Sequence, residues 1–479
     1  MNVWLINPPV IRRKVRAGAL VRNLFYNSPP LGLAYIGAVL EQAGRRVTIT
    51  DCPVEQFTPD DLHRLASEIS PDLVGIGSTT SYFHMAVESA NAVRRALPKV
   101  PICIGGPHFN GNPELLLEHE VFDFGVRGEG EFTLREVAER IESGTDYLDV
   151  PGVVSRKPEN RKTEEPKNRP LIEDLDVLPF PARRLLPLDK YSPMPNDIYR
   201  LPKTAMISSR GCPFRCIFCD KQTFGHTYRS LSPKRTVEEM HMLVRDHGIR
   251  DIAFVDSIFT PNKKRISEVL DAMEADPPKA SWTCSCRANV LDEELLRRMR
   301  ALGCWRIRIA VESGNEEILR TIQKGITKQE MREMAETAYR LGFQIKTFFM
   351  IGHIGETRET IEESIRFALS LPLKDITVQI NTPLKGTPQY ELCKQRGKLL
   401  SSDTSRYTFF QPIFVPDGLT AEELQNAQNR FYRRFYMNPG VIWRHFKTIR
   451  RPRDLLKYFH ALPLVSGLFF RPRRIQSEA

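Results

Sequence analysis

The chain has 479 residues, 41% hydrophobic and 27% charged. That is the make-up of a folded protein of several domains at the usual ~150 residues each, and it excludes a disordered or collagen-like chain. Lys and Arg number 69 against 58 Asp and Glu, a net charge of +11, so an anionic partner such as nucleic acid, phospholipid or a phosphorylated compound has to be considered.

Nine cysteines in this length do not make the disulfide framework of a short secreted domain. The opening Met1-Asn-Val-Trp-Leu-Ile-Asn-Pro-Pro has neither the leading positive charge nor the length of a signal peptide. The longest apolar candidate, residues 461–470, is about half of the ~18 residues a spanning helix needs. A cytoplasmic, reducing location is the expectation.

Residues 1–145 alternate between short apolar runs and amphipathic stretches. Strands are expected at 3–6, 47–50, 73–76, 102–104 and 122–126, with helices at 31–43, 59–68, 85–97, 114–118 and 129–141. Five β-α units in series predict a doubly wound parallel sheet of Rossmann-like type, whose binding loops lie at the carboxyl ends of the strands. Those loops are rich in small residues: Asn7-Pro8-Pro9, Gly77-Ser78-Thr79-Thr80, Gly105-Gly106-Pro107-His108 and Arg127-Gly128-Glu129-Gly130-Glu131. Residues 146–200 are charged and proline-rich, a composition that suits a linker laid over a surface.

From Thr204 the alternation resumes, with strands expected at 205–208, 252–255, 282–286, 306–311, 345–350 and 376–380 and helices between them at 235–246, 264–275, 292–301, 328–341 and 357–371. Six such units, over residues 201–390, predict a partial (β/α)6 barrel with its chemistry at the strand C-termini. Residues 391–479 read as a helical, aromatic and basic C-terminal region.

Directly after the first barrel strand comes Arg210-Gly-Cys212-Pro-Phe-Arg-Cys216-Ile-Phe-Cys219-Asp220. Three cysteines at this spacing can converge from one loop, and thiolates are soft ligands for an iron–sulfur cluster or for zinc. Three ligands would leave one iron of a cubane open to another molecule. A structural zinc site completed by His226 is the alternative on the residues alone.

The triple-cysteine motif resembles that of the radical SAM enzymes, and further markers follow in order through the barrel. They are Phe254-Val-Asp256-Ser257-Ile-Phe259, Val311-Glu312-Ser313-Gly314, Lys324-Gly325 and Ile351-Gly352-His-Ile-Gly355-Glu356-Thr357. The N-terminal half, with its Gly-Gly-Pro-His and Arg-Gly-Glu-Gly-Glu loops, is similar to the cobalamin-binding domain of the B12-binding radical SAM group. The resemblance covers about residues 1–390.

The resemblance implies a [4Fe-4S] cluster held by Cys212, Cys216 and Cys219, with its unique iron binding S-adenosyl-L-methionine (SAM). It further implies reductive cleavage of SAM to a 5′-deoxyadenosyl radical, with cobalamin as methyl carrier in the methylating members. Phe218 matches the position that packs near the SAM adenine. Asp256, Ser257, Glu312 and Gly352 are the other barrel positions expected at the cofactor, and Ser78, Thr79, Gly105, Gly106, His108, Gly128 and Glu129 those expected toward cobalamin. An electron donor of the flavodoxin or ferredoxin type is implied as a partner.

Period-2 geometry puts Arg306, Arg308, Ala310 and Glu312 on one strand face, where the charges need anionic or hydroxyl partners. A SAM carboxylate or ribose would serve, and so would an internal ion pair. Two positions depart from the pattern. The chain lacks the Asp-x-His-x-x-Gly sequence that supplies histidine to cobalt elsewhere, since Asp61-Leu-His63 lies in a helical pattern. Asp256-Ser257 also stands where relatives often carry paired acids. Glu129 can equally cap the helix it opens, and Cys284 and Cys286, two apart on a strand, read as buried inert thiols.

Between residues 430 and 474 lie 12 Lys and Arg and a single acid, Asp454, interleaved with aromatics. Elsewhere basic and acidic residues are equal in number, so this stretch carries the whole net charge. Such segments favour anionic membrane surfaces; a face packed on the barrel is the other reading. RNA comes third and no nucleic-acid partner is expected, because no RNA-binding module accompanies it.

The expected function is a cobalamin-dependent radical SAM enzyme acting on a small, hydrophobic or membrane-proximal substrate. C-methylation is the leading reaction, and oxidative cyclisation or rearrangement in tetrapyrrole or lipid metabolism is the alternative. A zinc-stabilised, membrane-attached binding protein is the non-enzymatic one. The expected location is cytoplasmic, peripheral at the inner face of the membrane if the tail binds lipid.

Overall fold

A computed structural model describes residues 1–10, 28–156 and 168–449. The N-terminal sheet contains β1 (Asn2–Asn7), β2 (Arg46–Asp51), β3 (Leu73–Gly77), β4 (Ile102–Gly105), β5 (Phe124–Val126) and β6 (Val153–Ser155), in the order β2-β1-β3-β4-β5-β6. The first five run parallel. Their near-continuous apolar runs follow from burial on both faces. The helices α1 (Leu31–Gln42), α2 (Pro59–Ile69), α3 (Phe83–Ala96) and α4 (Gly130–Ser143) cover those faces. Cores headed by Leu5 and Phe124 on one face, and by Trp4 and Ile76 on the other, fill the layers between. The strand order reverses direction between β1 and β3, the point at which open α/β sheets leave a crevice for a ligand.

β6 pairs antiparallel with β5, so the sheet takes a strand from the stretch read as linker. The rest of that stretch is a wrap of short turns at residues 175–177, 183–185, 188–190 and 195–197. It is not featureless. Arg183 from the wrap is fully buried against Glu239 at 3.0 Å.

The second sheet holds β7 (Lys203–Met206), followed after a two-residue ribbon of β8 (Ser209–Arg210) and β9 (Arg229–Ser230) by β10 (Asp251–Phe254), β11 (Ser281–Cys286), β12 (Cys304–Glu312), β13 (Gln344–Ile351) and β14 (Asp375–Ile380). All six long strands are parallel, in the order β14-β13-β12-β11-β10-β7. β7 and β14 remain edges, so the barrel is partial. Outside it lie α5 (Pro233–His247), α6 (Lys263–Ala275), α7 (Glu293–Ala301), α8 (Lys328–Arg340) and α9 (Arg358–Ser370). Side chains cap several of these starts: Thr327 and Glu330 form a reciprocal capping box on α8, which satisfies backbone donors the helix itself leaves open.

The open edge at β14 is covered by α10 (Ala421–Tyr436). The Tyr432 hydroxyl accepts from Val378 N at 2.8 Å, and Gln428 Nε2 donates to Val378 O at 2.9 Å. These side chains complete an edge that would otherwise be an open template for pairing. Phe431, Tyr432, Phe435 and Tyr436 are therefore barrel residues, buried or packed on its core. For this part of the tail the packed reading holds. The stretch 450–474 of that tail lies outside the described residues.

At the strand N-termini the barrel is closed by charge. Arg306, fully buried, donates to Asp197 at 2.7 Å and to Asp375 at 2.8 Å. Of the two partners open to Arg306, a SAM carboxylate or an internal ion pair, the structure shows the ion pair: the residue sits at the far end of β12. Arg308 donates to Thr283 Oγ1 at 3.2 Å.

Candidate active site

One cavity of about 710 Å³, mostly apolar in lining, lies between the two sheets. Its N-terminal wall is made by the strand ends of the first sheet, with Asn7, Gly77, Ser78, Thr79, Gly105 and Gly106. Its opposite wall is the cysteine loop, with Arg210, Gly211, Cys212 and Cys219. The floor lies where the strand order of the first sheet reverses.

The loops on the N-terminal side are shaped by glycines. Gly106 has φ +98°, and a Cβ there would stand 2.7 Å from Ser78 O. Ser78 in turn donates its Oγ to Gly105 O at 2.8 Å. Gly128, at φ +79°, donates its N–H to Asn110 Oδ1 at 2.6 Å. Beneath the cavity Asp51 is buried and accepts from Asn7 Nδ2 at 2.7 Å and from the Tyr191 hydroxyl at 2.6 Å. Burial holds the Asp51 carboxyl above its usual range. Tyr191 comes from the wrap, and no motif in the sequence announces it.

Two of the residues expected toward cobalamin, His108 and Glu129, have partners within the protein. His108 is not among the cavity-lining residues; it is buried against Phe83, ring centroids 4.8 Å apart, and burial pushes its imidazole down to about 4. Glu129 lines the cavity, but its carboxylate is committed. It pairs with Arg210 at 2.7 Å and with Arg229 at 2.7 Å, and accepts from Ile172 N. Glu131 joins Arg210 at 2.6 Å. Glu129 stands at the N-cap of α4 but makes no side-chain cap there.

The cysteine loop leaves β8 through Gly211, at φ +79°, where a Cβ would meet Thr227 O at 2.1 Å. Cys212 and Cys216 are half-buried and Cys219 is exposed. Desolvation against the loop raises the Cys216 thiol, and pushes Cys219 up to about 11 with help from the neighbouring Cys212 and Cys216. The opposing influences are cationic: Lys221 on Cys219, and Lys324 and Arg287 on Cys216. Three thiols ringed by three cations are suited to holding thiolate ligands once a metal takes the protons. Among the described residues no three Cys, His, Asp or Glu side chains converge within reach of one metal ion. His226 is exposed, beside Lys221 and Arg215.

Around Cys216 the barrel strand ends supply the rest. Glu312 closes β12 at φ +68°, an uncommon conformation for a non-glycine residue, and pairs with Lys324 at 3.1 Å. Arg287, at the end of β11, stacks 3.6 Å over Phe214 and donates to Lys324 O and Gly325 O. At the end of β13, Gly352 (φ +83°) and His353 both donate backbone N–H groups to Glu356. Burial pushes the Glu356 carboxyl up to about 8 and the His353 imidazole down to about 3. Among the described residues neither ring nitrogen of His353 has a partner, and its ring centroid lies 6.0 Å from that of Phe218. Buried unpaired donors and acceptors are rare and call for an explanation; a bound molecule between Phe218 and His353 would supply one.

Asp256 is held by the backbone and side chains just ahead of the cysteine loop. It accepts from Ser208 N at 2.7 Å and from Ser209 Oγ at 2.8 Å, and burial pushes it up to about 6. Its work is to fix the backbone two residues before Gly211, whereas Ser257 lines the cavity. Cys284 and Cys286 are buried with their sulfurs 3.4 Å apart, inside the hydrophobic core as the sequence suggests.

The radical SAM superfamily matches residues 206–368, and the B12 binding domain matches residues 18–138. An uncharacterised methyltransferase of Pyrococcus horikoshii is 33% identical over 96% of this chain and 99% of its own. The anaerobic magnesium-protoporphyrin IX monomethyl ester cyclase of Rubrivivax gelatinosus is 27% identical over 90% of this chain and 78% of its own. Among solved structures, the radical SAM methyltransferase TsrM of Kitasatospora setae, with cobalamin and a [4Fe-4S] cluster bound, superposes with a TM-score of 0.68. It shares 19% identity over 91% of this chain and 89% of that one, a likeness of fold.

Proposed function

Since the chain belongs to the radical SAM enzymes that carry a B12-binding domain, we propose that it transfers a methyl group from cobalamin to an unactivated carbon of a small, hydrophobic substrate. The observation that carries this reading is the single cavity shared by the strand-end loops of the first sheet and by Cys212 and Cys219. A methyl carrier in one wall and a radical source in the other would face each other across one space. Proximity of this kind replaces an encounter in solution.

The groups fit the residues. Cys212, Cys216 and Cys219 would hold the cluster. The glycine-shaped loops at 77–79, 105–106 and 128 would receive the corrin on a largely apolar wall. Phe218, His353, Gly352, Glu312 and Lys324, which stand together at the strand ends beside Cys216, would contact SAM. When bound, these groups supply reductive cleavage of SAM and a transferable methyl group. The protein's own part is positional. Glu129 and Glu131 hold Arg210, and with it the start of the cysteine loop, against the first sheet. Asp256 fixes the backbone ahead of that loop through Ser208 and Ser209. Arg287 and Lys324 balance the negative charge that three thiolates would bring.

The same scaffold serves relatives named as cyclases, so oxidative cyclisation is the second reading. Protein produced with cobalamin, reconstituted with iron and sulfide and incubated with SAM and a reductant, should form 5′-deoxyadenosine. Protein that takes up neither iron–sulfur chromophore nor corrin would sink both readings. Product mass separates them, since methylation adds one CH2 and cyclisation removes hydrogen.

A further inference from the structure

Thirteen large apolar side chains are exposed among the described residues, and four of them fall within ten positions: Met437, Ile442, Trp443 and Phe446. The last three share a face of α11 (Pro439–Phe446) at i, i+1 and i+4. Trp443 is 61% exposed, Phe446 60% and Met437 62%. The opposite face is fastened down: Val441 is buried, Arg444 Nε donates to Leu373 O at 2.7 Å, and His445 Nε2 lies 2.9 Å from Lys374 O. The helix is thus held rigidly with aromatics outward.

The charge around this face is positive. Arg433, Arg434 and Lys447 are exposed, with the Lys447 ammonium 5.4 Å from the Trp443 ring. Residues 450–474 add seven more Lys and Arg and one acid to the sequence directly after it. Apolar side chains that project from a basic surface match the layered chemistry of an anionic bilayer, with acyl chains beneath phosphates.

We propose that the face formed by Met437, Ile442, Trp443 and Phe446 docks on an anionic lipid surface. The position of that face decides what docking does. Leu373 and Lys374 immediately precede β14, so α11 leans on the N-terminal end of the barrel. That end is plugged by Arg306, Asp197 and Asp375, while the cysteine loop opens at the other. Docking here anchors the enzyme and leaves the cavity mouth facing away from the bilayer. A membrane-bound substrate would have no direct path from this face to the site.

Trp443 is a built-in reporter, because Trp4, Trp282 and Trp305 are buried. The full chain is mixed with vesicles of pure phosphatidylcholine, or of phosphatidylcholine with phosphatidylglycerol, with and without brominated acyl chains. Sedimentation with the anionic vesicles alone, together with quenching by bromine that Trp443→Phe abolishes, is the expected result. Trp443→Glu with Phe446→Glu should lower binding at least about tenfold, and both sites are exposed enough to leave the circular dichroism unchanged. No binding to anionic vesicles overturns the proposal. So does binding that the double variant leaves unchanged, which would assign it to residues beyond 449 alone. A dimer that the double variant converts to monomer would make the occupant a second copy. Trp443 already shielded from acrylamide in the free protein would make it the chain's own C-terminal segment. None of these readouts depends on cofactors or turnover.

Discussion

The Glu129 carboxylate lies 2.7 Å from the Arg210 guanidinium, both almost fully buried, and Arg210 stands two positions before Cys212. One residue opens the last helix of the first sheet and the other ends the strand that launches the cysteine loop. Their bond, with Glu131 and Arg229 beside it, is where the two halves of the cavity are held in register.

Removing one partner of such a pair leaves a buried charge uncompensated, which costs about 3–5 kcal/mol. Glu129→Ala should therefore lower the urea midpoint by a large margin. Glu129→Gln, whose one carbonyl oxygen can accept from Arg210 or from Arg229 but not from both, should cost less. If Glu129→Ala unfolds like the unaltered chain, the clasp is not what joins the halves.

Cys212→Ala, Cys216→Ala and Cys219→Ala should each abolish the iron–sulfur chromophore after reconstitution and, with it, 5′-deoxyadenosine formation. Cys284→Ala and Cys286→Ala should retain both, because those thiols lie in the core of the barrel. Those two changes report instead on packing, since loss of a buried small side chain leaves a cavity. Iron and sulfide analysis of the five variants separates the two groups.

The alternation of strands and helices was legible in the sequence because strands such as β1 and β3, buried on both faces, read as short apolar runs, while β12 and β13 show apolar residues at period 2. The cysteine triplet was legible because all three cysteines come from one loop at a fixed spacing. What the sequence could not show is pairing across long separations. Arg306 looked like a ligand for an anion, and its anions proved to be Asp197 and Asp375. Glu129 looked like a loop residue at a cofactor, and its partners are 81 and 100 residues away. Asp51 and Tyr191 carry no local signal at all. In the tail, helical spacing alone could not say that Tyr432 and Tyr436 serve the edge of β14 while Trp443 faces outward.

Gly106→Ala tests the cradle for the corrin. The backbone at φ +98° suits glycine alone, and a Cβ would press on Ser78 O and N at 2.7 and 2.8 Å. Relief requires the loops after β3 and β4 to separate. A cost of about 1–3 kcal/mol is expected from backbone strain of this kind, together with reduced corrin retention after desalting, read from its visible absorbance. Gly144→Ala provides the contrast. It shares a positive φ of 67° but has nothing within 4 Å of the added carbon, so it should lose some stability while keeping the corrin.

Glu356 and His353 give the cofactor-free protein a pH dependence whose sign can be worked out. The folded carboxyl is pushed up to about 8 from an ordinary 4.5, so between these values the folded chain keeps a proton that the unfolded chain has released. Its stability is then full below pH 4.5 and lost as pH climbs through 8. His353 acts in the opposite direction. Its imidazole, pushed down to about 3 from 6.5, stays neutral in the folded chain, so stability falls as pH drops below 6.5. Glu356→Gln keeps a carbonyl that can accept from Gly352 and His353 but removes the titration. Its Tm relative to the unaltered chain should therefore rise steadily from about pH 5 to about pH 8. His353→Gln should show its advantage at the acid end. A Tm difference for Glu356→Gln that stays constant over this range would mean that the carboxyl is already ionised in the folded protein, paired with a cation that the fold does not show.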